Sequence, residues 1–296
     1  MPSFSFRVAP HLAKWHTMPN VARKRLPLLL LLSLLPVVGC DTISEDFTDF
    51  VDSLKPPTPF EAATWANDFN DPGKQREGVV LLANAPFGGS EPYMRLYRIL
   101  VEEDSDPLVR AAAIRALGQW GDTSDAAIIA KQLTNPYEQV RLESAKSLQR
   151  IHDPKVSDDI WQRLVDEEET EAVRIELAIA LGQYPGDAEF QALLVALDDR
   201  SLALNLAAVD SLRVLTSENW GLSTTSWMSW YESTTKPFGE QETFLYPTFV
   251  RKITFFEKLI FWSPVTFEKP SVPRGLEPAT RSTYDESQYR NIGEGS

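Results

Sequence analysis

The chain has 296 residues, 43% of them hydrophobic, with 29 basic and 42 acidic residues and a net charge of −13. That length and apolar share suffice for a sizeable core in one large or two small domains. The acidic balance excludes a nucleic-acid partner, whose phosphates demand a basic surface. The single cysteine, Cys40, excludes an internal disulfide, so stability has to come from packing.

In chain order, the first feature is an uneven charge distribution. Arg7, Lys14, Arg23, Lys24 and Arg25 are the charged residues before position 40, and none is acidic. Arg23-Lys24-Arg25 leads into the apolar stretch Leu26–Gly39, shorter than the roughly 20 residues a membrane-spanning helix needs. A basic start, a short apolar run and small residues read as a signal peptide over 1–39, with Met18 as an alternative start. Its end, Val37-Val38-Gly39-Cys40, resembles the bacterial lipobox. That resemblance implies cleavage before Cys40, acylation of its sulfur, and an exported lipoprotein held on an envelope membrane. Several acyl chains on one residue make such an anchor stable. Asp41 after the cysteine implies the inner membrane in some envelopes. Residues 40–59 read as an acidic tether: Asp41, Glu45, Asp46, Asp49 and Asp52 repel one another, and Pro56, Pro57 and Pro59 stiffen the exit.

A period of just over 30 residues then governs residues 60–232. The segments opening at Arg110, Arg141, Arg174 and Asn205 are 31, 33 and 31 residues apart, and Arg76 opens a weaker copy 34 residues before Arg110. Each unit repeats the same columns. Val109, Val140, Val173 and Leu204 precede the segment, and Leu117, Leu148, Leu181 and Leu212 close it eight residues later. Ala113, Ser144, Leu177 and Ala208 stand midway, so these columns share one helical face. Ala116, Ser147, Ala180 and Ser211 form a small-residue column that lets neighbouring helices approach closely. Asp71-Pro72, Asp106-Pro107 and Asn135-Pro136 read as a capping side chain before a proline at the first helical position. Gly118 and Gly182 read as helix ends. Apolar stretches such as Ala126–Ala130 and Leu193–Leu197 supply a second helix per unit. Two helices per period predict an all-α fold, an α-solenoid of about five helix pairs.

The run Asp104-Ser-Asp-Pro-Leu-Val-Arg-Ala-Ala-Ala-Ile-Arg-Ala-Leu-Gly118 resembles a HEAT repeat of the short bacterial type also called lyase-like. The resemblance extends over about residues 60–232 and implies a scaffold more than a function. A row of arginines suits an anion, but the resemblance implies a structural ladder, with turn acids such as Asp106 pairing with Arg110, Arg141 and Arg174. The last unit departs from it with Asn205, as expected near a cap.

Trp227, Trp230 and Tyr231 share a helical face and predict an aromatic lid on the end of the stack. Residues 233–296 read as an aromatic and proline-rich tail. Within it Phe249, Ile253, Phe256 and Ile260 share a face if helical, and the end reads as extended and then disordered. The tail suits packing on the solenoid or a partner better than a membrane interface, because Phe255 and Trp262 spoil its polar face.

Reactive groups are scarce. Once 1–39 is removed, His152 is the remaining histidine, and it falls in an inter-helix turn that reads as solvated. No cysteine–histidine metal site, phosphate-binding glycine loop or nucleophile elbow is present, and no cofactor is implied. The acidic run Asp166–Glu171 lacks calcium-loop spacing and reads as a solvated turn. The expectation is a non-catalytic scaffold that binds a protein or an envelope polymer, through exposed positions of the stacked second helices at Arg115, Glu143, Lys146 and Glu176. Its rivals are a lyase role, which the bilin-attaching members of the lyase-like group imply, and a structural membrane component using the tail.

Overall fold

The structure, a computed structural model, describes residues 57–247 and 269–277. Among them the chain forms eleven α-helices. They are α1 (Pro59–Ala66), α2 (Pro72–Asn84), α3 (Glu91–Glu103), α4 (Pro107–Trp120), α5 (Ala126–Ala130) and α6 (Glu138–Leu148). These are followed by α7 (Ser157–Leu164), α8 (Glu171–Leu181), α9 (Asp187–Leu197), α10 (Leu202–Thr216) and α11 (Thr224–Ser233). Five helix pairs run from α1/α2 to α9/α10, and α11 closes the series: an α-solenoid. Cys40, the tether up to residue 56, the 249–262 stretch and the residues after 277 lie outside the described residues.

The starts follow local chemistry. Thr58 and Glu61 form a reciprocal capping box on α1, and Asp71 accepts the Lys74 N–H (3.1 Å) at the head of α2. Asp106 accepts the N–H groups of Leu108 (2.8 Å) and Val109 (3.1 Å), with Pro107 first in α4. Asn135 behaves differently from Asp106. Its side chain closes a turn on the Tyr137 N–H (3.0 Å), and α6 begins at Glu138, two residues beyond the expected start. In the third unit the first helix is split, with α5 flanked by 3₁₀ turns at Thr123–Asp125 and Lys131–Thr134.

The second helices α2, α4, α6, α8 and α10 pack in succession, and the core lies between them and their partners. Val109, Val140, Val173 and Leu204 are fully buried, as are Leu117, Leu148, Leu181 and Leu212. The small column does what its size permits. The Ser147 hydroxyl donates to the Ile114 carbonyl of α4 (3.1 Å), and that of Ser211 to the Ala178 carbonyl of α8 (2.7 Å).

Gly118 and Gly182 correct the expectation that they end helices by conformation. Gly118 lies inside α4, where a Cβ would stand 2.5 Å from the Ser147 hydroxyl oxygen. Gly182 follows α8 with right-handed dihedrals, and a Cβ there would stand 3.1 Å from the Phe244 ring. Both are glycine because something packs on them.

The end is sealed by α11. Trp227 is fully buried and donates its indole N–H to the Gly221 carbonyl (2.9 Å). Trp227, Trp230 and Tyr231 surround Phe190 of α9, with Tyr231 stacked on it at 4.5 Å. The Tyr231 hydroxyl donates to Asp187 (2.5 Å), and that bond to a carboxylate raises its pKa to about 12.

Candidate interaction surface

The arginine column is inward and structural in geometry. Arg110 donates to its own turn at the Asp104 carbonyl and forward to Gln132 (3.4 Å). Arg141 donates back to the carbonyls of Asn135 (2.9 Å) and Pro136 (3.1 Å), and forward to both oxygens of Glu169 (2.7 and 2.9 Å). Arg174 donates to the Leu164 carbonyl (2.9 Å) and to Asp199 (2.7 Å). Asn205 keeps only the inward half, donating to the carbonyls of Ala196, Leu197 and Asp199. Asp106 caps α4 and is not the acid these arginines meet. Glu169 and Asp199 are, from the turns of the next unit.

Glu169 also corrects the reading of its acidic run as solvated. Its side chain is 0% exposed. Burial pushes its carboxyl up, but bonds from Arg141, the Thr170 N–H and Arg163 outweigh that and hold it below the ordinary carboxylate range. Asp199 is likewise held low, first by the Ser201 N–H and then by Arg174. A row of arginines satisfied in this way has little capacity left for an external anion.

The four outward positions form a different surface. Arg115 of α4 makes a two-pronged ion pair with Glu143 of α6 (2.6 and 3.0 Å), and its side chain stays 65% exposed. Lys146 occupies the column of Arg115 one unit on, and Glu176 the column of Glu143; both are half-buried. Glu176 accepts the Gln149 side-chain amide at its carboxylate (2.7 Å) and its backbone carbonyl (2.9 Å). The structure therefore couples Arg115 with Glu143 and leaves a ridge of alternating charge running across successive second helices. Gln149 was not foreseen: it lies one residue beyond the Leu148 column, and its amide reads as a surface group until the neighbouring helix is placed.

His152 packs against the next unit. The imidazole is half-buried, stacked on Tyr184 at 4.8 Å, with Nδ1 3.2 Å from the Gln183 side-chain oxygen. It is a packed side chain, not a solvated one, and burial lowers its pKa. Among the described residues no group of three His, Cys, Asp or Glu is placed to hold a metal ion, and no helix is long and apolar enough to cross a membrane. An open groove of about 740 Å³ lies between α5 and α7 and mixes Lys131, Lys155 and Arg163 with Asp153, Asp159 and Asp166.

Residues 94–171 match the family described as HEAT repeats, a stretch running from α3 to the start of α8. No curated protein matches the chain. The matched stretch carries Arg110, Arg141, Arg115, Glu143, Lys146 and Glu169. HEAT repeats are helical scaffolds that commonly mediate protein contacts.

Proposed function

We propose that this chain is a lipid-anchored, exported scaffold without catalytic activity that binds a partner protein on the ridge of its second helices. The observation that carries the binding role is the contrast between the two charged columns. Arg110, Arg141 and Arg174 turn inward, while Arg115 keeps 65% of its side chain in solvent beside Glu143. A rigid stack that presents alternating charge at a regular spacing suits a partner of complementary pattern, and such charges govern the rate and register of docking.

The anchor rests on the lipobox resemblance at Val37–Cys40 and on the acidic tether that follows. The non-catalytic reading rests on His152 being stacked on Tyr184 and hydrogen-bonded to Gln183 within the packing. Incorporation of labelled palmitate that disappears in Cys40→Ala tests the anchor. A photo-crosslinker at position 115 or 146, used in intact cells, tests the ridge. One dominant partner protein should be captured, and Arg115→Glu with Lys146→Glu should reduce its recovery at least tenfold. Unchanged capture in that double variant refutes the ridge as the binding surface.

A further inference from the structure

Beyond α11, residues 234–247 and 269–277 lie along the carboxyl ends of four second helices. The Glu242 N–H donates to the Val214 carbonyl (2.9 Å) in the last turn of α10. Phe244, 5% exposed, lies on Gly182 at the end of α8. The Tyr246 ring receives the Arg150 guanidinium at 5.0 Å, just past α6. Residues 269–277 then continue the line to α4, starting from Ser271, whose carbonyl accepts the Tyr246 N–H (3.1 Å).

Three consecutive residues of this second segment are read by the surface. Pro273 is buried. Arg274 brackets Ile151 as a parallel β-bridge, donating its N–H to the Arg150 carbonyl (3.0 Å) and accepting the His152 N–H (2.8 Å). Its guanidinium donates to the carbonyls of Gly118 (2.5 Å) and Gln119 (2.8 Å), the negative end of α4. Gly275 has φ +91°, and a Cβ there would stand 2.3 Å from a Thr123 methyl and 2.6 Å from the His152 carbonyl oxygen. Only glycine fits. Main-chain pairing combined with side-chain selection at successive positions is how extended peptides are recognised at a strand-like edge.

We propose that the ledge formed by the ends of α4 and α6 is a recognition site for an extended Pro-Arg-Gly segment, filled here by residues 269–277 of the same chain and opened when a partner's segment of that chemistry displaces them. This goes beyond the reading above, since it depends neither on the anchor nor on the ridge. The internal fit is imperfect in a way that permits exchange. The Arg274 Nε is buried without an acceptor, and burial disfavours its charged form. A tethered segment needs only modest intrinsic affinity, because linkage supplies an effective concentration on the order of millimolar.

The test uses the full chain and a fluorescent peptide carrying the sequence of residues 269–277. A ledge closed nine-tenths of the time weakens an external ligand about tenfold. The Arg274→Ala chain should therefore bind the peptide about tenfold more tightly than the unaltered chain, and a peptide with alanine in place of its arginine should bind neither. Gly275→Val, which leaves α4 and α6 untouched, should open the ledge in the same way. The proposal is overturned if both variants keep the original circular dichroism and gain no affinity, or if the arginine-free peptide binds equally well. It is also overturned if both variants unfold, because the segment is then a staple and not a ligand.

Discussion

Replacing Glu169 with leucine tests whether the buried ladder holds neighbouring units together. The carboxylate is 0% exposed and accepts guanidinium N–H groups from Arg141 (2.7 and 2.9 Å) and Arg163 (2.5 Å). Leucine keeps roughly the volume but strands Arg141, whose side chain is 10% exposed; Arg163 retains Asp166 at 2.8 Å. Removing one partner of a buried pair costs about 3–5 kcal/mol. Arg141 still donates to two carbonyls, so the expected loss is at the low end, about 3 kcal/mol. Arg141→Met in the same chain removes the stranded cation, and the pair of changes should recover about 2 kcal/mol of that loss. Urea unfolding followed by circular dichroism at pH 7 measures both. There is also a pH signature. The folded carboxyl titrates below its ordinary 4.5, so its contribution is complete above that pH and is lost as pH falls. Acid sensitivity in that range should shrink in Glu169→Leu. A loss under 1 kcal/mol, or a double variant that is simply the sum of its singles, refutes the reasoning.

Other predictions follow from single contacts. Gly78→Ala should cost more than Gly118→Ala in urea midpoint. A Cβ at 78 meets the backbone of Ala66 at 2.4 Å and of Ala62 at 2.6 Å, whereas at 118 it first meets a serine side chain. Overpacking of this kind costs about 1–3 kcal/mol. Trp227→Ala should lose about 3–5 kcal/mol and expose the amides of α9 and α10 first in hydrogen exchange. His152 is held neutral by burial, so the unfolded chain takes up a proton below about 6.5 before the folded chain does. Stability therefore falls as pH drops through that value, and Tm scans at pH 7.5 and 5.5 should differ less in His152→Gln. Arg115→Ala, at an exposed pair, should change stability by less than about 1 kcal/mol.

Periodicity made the fold legible because every unit buries the same columns: Val109 and Leu117 predict Val140 and Leu148 by position alone. The inward arginines were legible as a register but not as pairs. Glu169 sits in a run of acids, Asp166–Glu171, that reads as solvent-facing until the turn is placed against Arg141. His152 was misread, and Gln149 gave no signal, for the same reason, since each meets its partner only across a unit boundary, at Tyr184 and at Glu176. The outward ridge was visible as exposed positions, but its coupling of Arg115 to Glu143 across 28 residues was not.

The docked tail was hidden by a subtler cause. A helix leaves its last carbonyls without intrahelical partners, and a left-handed residue after the helix commonly satisfies them. Among the second helices α4, α6, α8 and α10, only α10 ends that way, at Ser217 with φ 57°. The residue after α4, Gly121, is extended, and those after α6 and α8, Gln149 and Gly182, are right-handed. Their carbonyls are therefore met by side chains from elsewhere: Leu148 by Gln183 (2.8 Å), and Gly118 and Gln119 by Arg274, 156 and 155 residues away. A glycine at the end of a helix reads in sequence as a local stop. Here Gly118 and Gly182 are places of close approach, one for Ser147 and one for Phe244, and the open carbonyls beside Gly118 are what give an arginine from a distant segment somewhere to bind.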